Sequence, residues 1–227
     1  MVDQTAISEY SLITPSTWEH IDLADGVEAE ATRLAAQATA GLPKDSAAVE
    51  RHWIEKRIRE ALAAFDERDD AKVEHVMFPR QGAGETTELP LTMVCGRIRG
   101  IEIPEGSRPV EVLVGLAHHD ADSVPMDVDG VVAVRSARFT DVTAEFAGLV
   151  DEAPGDRADL EQARIAMPSN VYSMRATYVF ASPGEDPTWH MISISTLLPT
   201  DDRESEIVEV VVGLADAIVG SLRWSDR

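Results

Sequence analysis

Two segments in the second half of the chain alternate between apolar and polar side chains, which is the period of a half-buried β-strand. Between Tyr172 and Phe180, aromatic, methionine or alanine side chains take every second position, and mostly polar side chains lie between them. The segment from Trp189 to Leu198 shows a similar alternation after the turn-forming residues 182–187. The pattern predicts a long antiparallel hairpin with one face on the core.

Three further segments carry apolar side chains at steps of three and four residues, the period of an amphipathic helix. The first is the alanine-rich run 27–40, which is followed by a glycine and a proline that stop a helix. The second follows Ser46, a candidate N-cap residue. The third follows Asp201, which with Glu204 resembles a capping box, and carries an apolar stripe over residues 207–222. We expect this last helix to pack on the sheet.

Shorter β-favouring segments predict the rest of the sheet. They are residues 9–13 and 17–23, which would form an opening hairpin around a proline turn, 73–78 and 91–98, which would pair antiparallel, and 128–139. The apolar segment 109–116 begins with a proline and favours a brief helix, and a strand is nearly as compatible with it, so both stay open. Residues 144–168 are typical of helix fragments and loop, and we expect an insertion or lid there.

The order of these elements is a hairpin, helices, several adjacent strands, a second hairpin and a helix. It lacks the strict strand and helix alternation of a parallel sheet. We therefore expect an α+β fold, with an antiparallel β-sheet and helices packed on its faces. Residues 1–227 are expected to form a single domain.

The charge of the chain limits its partners. Forty-one acidic residues against twenty basic ones give a formal net charge of -21 at pH 7. Such a surface repels phosphate backbones and anionic lipid headgroups, so we expect neither nucleic acid nor a membrane surface as a partner. A basic protein is the electrostatically natural partner, and a homodimer through an exposed strand edge is equally allowed.

The composition also indicates the cellular compartment that we expect for this protein. Cys95 is the only cysteine, which excludes an internal disulfide and favours a reducing environment. The first twenty residues show no secretory pattern, and no stretch of eighteen apolar residues occurs. We expect a cytoplasmic protein. Nearly all of the basic residues are arginine, which is typical of a high-GC, actinobacterial-type genome.

Both ends of the chain resemble the PsbP-like fold superfamily, which includes a plant photosystem subunit and many bacterial proteins. The residues that carry the resemblance are Tyr10–Trp18 at the start, and Met191–Leu198 followed by Asp216–Trp224 at the end. The resemblance implies an α/β/α sandwich and a binding or assembly role without catalytic residues. The lipid-bearing cysteine of the bacterial lipoprotein members is missing here, so lipid anchoring is not implied.

The densest set of potential metal ligands is His118, His119, Asp120 and Asp122. Imidazole nitrogens and carboxylate oxygens at close spacing can share one divalent ion. Adjacent histidines, however, point in different directions on a helix or strand, and no distant third ligand is recognisable. A polar loop is the alternative interpretation.

Arginines recur on the predicted strands, at Arg97, Arg99, Arg135, Arg138 and Arg175. On an acidic protein they could line a patch for a carboxylate or for an acidic face of a partner, although most are expected to pair with neighbouring acids. His52, His75 and His190 are expected to be structural. Cys95 lies in an apolar strand and is expected to be a buried, inert thiol.

These observations lead to three hypotheses. The first is a non-enzymatic binding or assembly module, without a cofactor, that engages a protein partner through an acidic face or a sheet edge. The second is a metal-dependent hydrolase centred on His118, His119, Asp120 and Asp122. The third is a small-ligand carrier with a cleft between the sheet and residues 144–168.

Overall fold

The structure is a computed structural model that describes residues 2–7, 9–23, 27–40, 42, 44–66, 70–79, 91–120, 122–153, 161–162, 164–165 and 168–225. Within them the strands are β1 Val2–Ile7, β2 Tyr10–Pro15, β3 Trp18–Asp22, β4 Ala71–Pro79, β5 Thr92–Ile98, β6 Ser123–Val128, β7 Val131–Asp141, β8 Tyr172–Ala181, β9 Trp189–Leu198 and β10 Arg223–Trp224. The helices there are α1 Val27–Ala38, α2 Lys44–Asp66, α3 Pro109–His119, α4 Thr143–Glu152 and α5 Glu206–Gly220.

The main sheet has seven strands in the order β3-β4-β5-β9-β8-β7-β6, and every neighbouring pair is antiparallel. The fold is therefore α+β with an antiparallel sheet, as the sequence predicts. The hairpin of β8 and β9 is confirmed, and its register runs from Tyr172 opposite Leu198 to Ala181 opposite Trp189. The predicted pairing of β4 with β5 is also present.

The predicted opening hairpin is wrong, because β2 and β3 belong to different sheets. Strand β2 lies between β1 and β10 in a small three-stranded sheet, whereas β3 pairs with β4 at the edge of the main sheet. The buried side chains of the two strands pack in different cores, Tyr10 and Leu12 in one and Ile21 in another. A proline turn shows where a strand ends, but the partner of the next strand depends on distant residues.

The main sheet carries helices on both faces. On one face, α5 and the small sheet cover the largest core, which includes Tyr178, Ile192, Val211 and Ile218. On the other face, α1 and α2 cover the β3, β4 and β5 side through a cluster around Leu34. Helix α3 covers the β7 and β8 side of that second face. We call the face that carries α1, α2 and α3 the outer face.

The structure shows how three local predictions stand. The strand predicted over 128–139 is present as β7, which follows β6 in a tight hairpin, and the turn residues Asp129 and Gly130 have φ values of 50° and 83°. Glycine and aspartate tolerate this left-handed region, which tight hairpin turns require. The open segment 109–116 is helical, as part of α3. Helix α5 begins at Glu206, because Asp202 accepts a 3.0 Å hydrogen bond from the backbone of Glu204 in a turn that competes with helix.

The predicted insertion at 144–168 is described in part. Its first residues form α4, which contacts α2 through the ion pair of Arg57 with Glu152. Residues 154–160, 163 and 166–167 lie outside the described residues. The lid remains a prediction.

Candidate functional site

The arginines that recur on the strands differ in their partners and in their exposure. Arg135 donates a 2.5 Å hydrogen bond to Asp216 of α5. Arg97 lies 3.2 Å from a carboxylate oxygen of Glu74. These two arginines hold the fold together, as expected of most of them. Arg99, which follows β5, is exposed.

Arg138 and Arg175 form a different arrangement. They lie directly opposite each other on β7 and β8, and both belong to the outer face. Arg138 has 78% of its side chain exposed, and its Nη2 lies 3.8 Å from Oδ2 of Asp120. Arg175 is exposed, and its side chain has no ion pair or hydrogen bond to another described residue. Like charges in directly opposite positions destabilise a sheet, so this arrangement of two arginines is expected to cost stability unless an anion lies between them.

Hydroxyl side chains surround the two arginines on the same face. Ser195 lies opposite Arg175, and Thr92 lies opposite Ser195. In the next row Thr177 lies opposite both Ser136 and Ser193, with 3.3 Å between the hydroxyl oxygens of Thr177 and Ser193. We call this surface the polar floor, and its residues are Thr92, Ser136, Arg138, Thr140, Ser173, Arg175, Thr177, Ser193 and Ser195.

The sequence of the strands explains why α3 does not extend over Arg175. On β8 the outer-face side chains are Ala181 and Val179 at one end, and both pack in the α3 cluster. Toward the other end of the strand, the outer-face side chains are Thr177 and then Arg175. Helices pack where apolar surface can be buried, so α3 covers only the apolar end. Beyond the floor, Leu197 of β9 is 39% exposed.

The predicted metal-ligand segment lies at the rim of this floor. His118 is exposed in the last turn of α3, and the side chain of His119 is outside the described residues. Asp120 accepts a 3.1 Å hydrogen bond from the backbone of Asp122 and also faces Arg138. Arg203 binds the carboxylate of Asp122 and thereby lowers its pKa. Both carboxylates are thus engaged with arginines.

Within the described part of the chain, no group of three histidine, cysteine, aspartate or glutamate side chains is arranged to hold a metal ion. The metal site at this segment therefore stays a prediction. The structure adds the position of the segment, since Asp120 lies next to Arg138.

The largest concentration of buried aromatic side chains lies elsewhere, on the face that α5 covers. Tyr10, Phe180, His190 and Trp224 have ring centroids 5.4 to 6.0 Å apart in every pairing. Nε2 of His190 lies 3.3 Å from Oε2 of Glu9, and burial lowers the pKa of this histidine. The rings fill the space among themselves, so the cluster is a core feature. It joins the two ends of the chain, because Trp224 lies opposite Tyr10.

Sequence reasoning missed one polar contact. Nε2 of His20 lies 3.1 Å from Nδ1 of His75, and Oδ1 of Asp22 lies 3.9 Å from the same nitrogen of His75. Alternation along β3 places His20 and Asp22 on one face. The neighbouring His75 could not be identified, because the sequence favoured β2 as the partner of β3.

Comparison of the sequence with family models and with curated proteins identifies no relative. No family model matches the chain, and no curated protein matches it significantly. Among the described residues, no helix is both long enough and apolar enough to cross a membrane. The candidate site therefore rests on the geometry of the polar floor alone.

Proposed function

We propose that this protein is a non-enzymatic binding module that holds an anionic group of a partner protein against the polar floor. The observation that carries the proposal is the pair of Arg138 and Arg175, which lie directly opposite each other and are both exposed among the described residues. A bound anion turns the repulsion between two neighbouring cations into attraction to a shared ligand.

The polar floor is favoured over the β6 edge of the main sheet. The edge strand β6 contains Pro125 and Asp127, and proline and charge at an edge discourage pairing with another strand. The floor, by contrast, presents hydrogen-bond donors, since arginine and hydroxyl side chains line it and Arg175 is exposed. Engagement of a basic partner through the acidic surface stays a prediction of the charge.

A binding role also agrees with the resemblance of the two chain ends to the PsbP-like superfamily, which we keep as part of this proposal. That superfamily consists mostly of binding or assembly proteins. The resemblance supports the class of function and says nothing about the polar floor itself.

The test compares two double variants that each remove two positive charges. R138Q/R175Q alters the polar floor, and R99Q/R164Q alters two exposed arginines that do not belong to it. Each protein is purified from its host under mild lysis, and bound partners are identified by native mass spectrometry. We expect the wild type and R99Q/R164Q to retain one common partner that R138Q/R175Q loses. Retention by R138Q/R175Q, or equal loss from both variants, would contradict the proposal.

A further inference from the structure

We propose that the anion bound at the polar floor is a phosphate monoester, carried on a side chain of the partner. This inference rests on the proposed function. Arg138 and Arg175 place two positive charges at directly opposite positions of two neighbouring strands, and a phosphate monoester carries a charge of about -1.5 to -2 at neutral pH. One such group therefore neutralises both guanidinium groups.

The number of donors also matches a phosphate. A carboxylate can accept hydrogen bonds from two arginines, but its single negative charge neutralises only one of the two guanidinium groups. A phosphate monoester has three terminal oxygens. Both guanidinium groups and a hydroxyl such as that of Ser195, directly opposite Arg175, can each find an acceptor on it.

The surroundings of Arg175 are unusual for so acidic a chain. Most arginines with described contacts have a carboxylate within 4 Å, as Arg33 and Arg97 do. Strands β5, β8 and β9, which form most of the polar floor, contain no aspartate or glutamate. The chain has 41 acidic residues, and none of them is placed on these strands. On these three strands, therefore, no acidic side chain competes with an external anion for Arg175.

Asp120 is the charged group that competes with the ligand. Its carboxylate lies 3.8 Å from Arg138, a loose contact at an exposed position. A bound phosphate would lie near this negative charge and be repelled by it. Removing the charge in D120N is therefore expected to strengthen binding, an effect opposite to that of losing either arginine.

The test uses short neutral peptides that carry one phosphoserine, one glutamate or one unmodified serine at the same position. Isothermal titration measures their binding to the wild type, R175Q, D120N and the control R99Q. We expect only the phosphoserine peptide to bind, with at least tenfold weaker binding to R175Q and severalfold tighter binding to D120N. R99Q should match the wild type. Inorganic phosphate should displace the peptide, whereas acetate at equal ionic strength should not.

Two results would overturn the inference. One is equal affinity for the glutamate and phosphoserine peptides, and the other is phosphopeptide binding that R175Q leaves unchanged. Urea midpoints of the variants show that each is folded. Because Arg175 is exposed and R175Q removes the repulsion from Arg138, this variant should be at least as stable as the wild type. If partner capture depends on the floor but the peptide assay shows no preference for phosphate, the proposed function stands and the phosphate inference fails. If the phosphopeptide binds and partner capture ignores the floor, the proposed function fails.

Discussion

The hydroxyl of Tyr178 in β8 donates a 2.8 Å hydrogen bond to Oδ1 of Asp216 in α5. Arg135 of β7 donates to the other oxygen of the same carboxylate. Tyr178 is completely buried, and burial raises its pKa well above the ordinary value. One carboxylate thus ties the last helix to two strands of the main sheet, on the face opposite the polar floor.

Removal of this carboxylate should destabilise the protein strongly. D216A leaves the buried hydroxyl of Tyr178 and a half-buried guanidinium without their acceptor, and we expect a loss of about 2 to 4 kcal/mol in the free energy of unfolding. Y178F removes one donor and leaves Arg135 in place, so about 1 to 2 kcal/mol should be lost. Urea unfolding measures both. The control variant E185A, at an exposed turn, should have an unfolding free energy within about 0.5 kcal/mol of the wild type. If E185A lost as much stability as D216A, the loss in D216A could not be assigned to its hydrogen bonds.

Gly96 of β5 is required by a close approach of β4. A Cβ atom added there would lie 2.4 Å from the carbonyl oxygen of Lys72, a backbone atom beside the irregular register of β4. We expect G96A to lose about 1 to 3 kcal/mol of unfolding free energy, because the two strands must shift apart. Thermal and urea unfolding measure the loss.

Gly213 provides the matched control. It lies in α5, and a Cβ atom added there would meet nothing within 4 Å. G213A should therefore stabilise the protein by about 0.5 to 1 kcal/mol, because alanine has the higher helix propensity. Equal effects of the two substitutions would mean that the contact with Lys72 does not matter.

Cys95 should be inert in the folded protein. Its side chain is completely buried, and burial raises the pKa of the thiol to about 12. Since the thiolate is the reactive form, a disulfide reagent at pH 8 should modify Cys95 only as fast as the chain opens. S169C places a second thiol at an exposed position and should react at once. Rapid modification of the wild type in the absence of denaturant would contradict the burial.

Stability should fall as the pH is lowered through the range in which histidine titrates. Burial lowers the pKa of His190 in the folded state, although Glu9 opposes this effect. The unfolded value is about 6.5, so the unfolded chain binds more protons below that pH. The contribution of His190 is therefore complete above about pH 6.5 and is lost as the pH falls below it.

H190Q isolates this effect from the other titrating groups. Urea unfolding at pH 7.5, 6.5 and 5.5 should show a shallower fall for H190Q than for the wild type, by at most about 1.4 kcal/mol per pH unit for one proton. Charged groups near His190 are Glu9, Arg97 and Glu74, and all are retained in the variant. Parallel pH profiles for the two proteins would show that His190 has the same pKa in both states.

Much of the polar floor can be predicted from individual strands. The alternation along β8 places Arg175 and Thr177 on the face opposite Tyr178, and that along β9 does the same for Ser195. The sequence also indicates Arg138 as an arginine on a strand. It does not show that Arg138 lies opposite Arg175, because that depends on the hairpin of β6 and β7 pairing with β8.

The sequence by itself determined the elements whose signal lies within a few residues: the β8 and β9 hairpin, the amphipathic helices and the antiparallel α+β class. Only the tertiary structure decided that β2 and β3 separate into two sheets, that the acids near His118 face arginines, and that two exposed arginines lie opposite each other on neighbouring strands. Periodicity is a local property that reports which side of a strand is buried. Which strands pair, and which part of the sheet a helix covers, depend on packing between residues far apart in the chain. Many such arrangements satisfy the same local pattern.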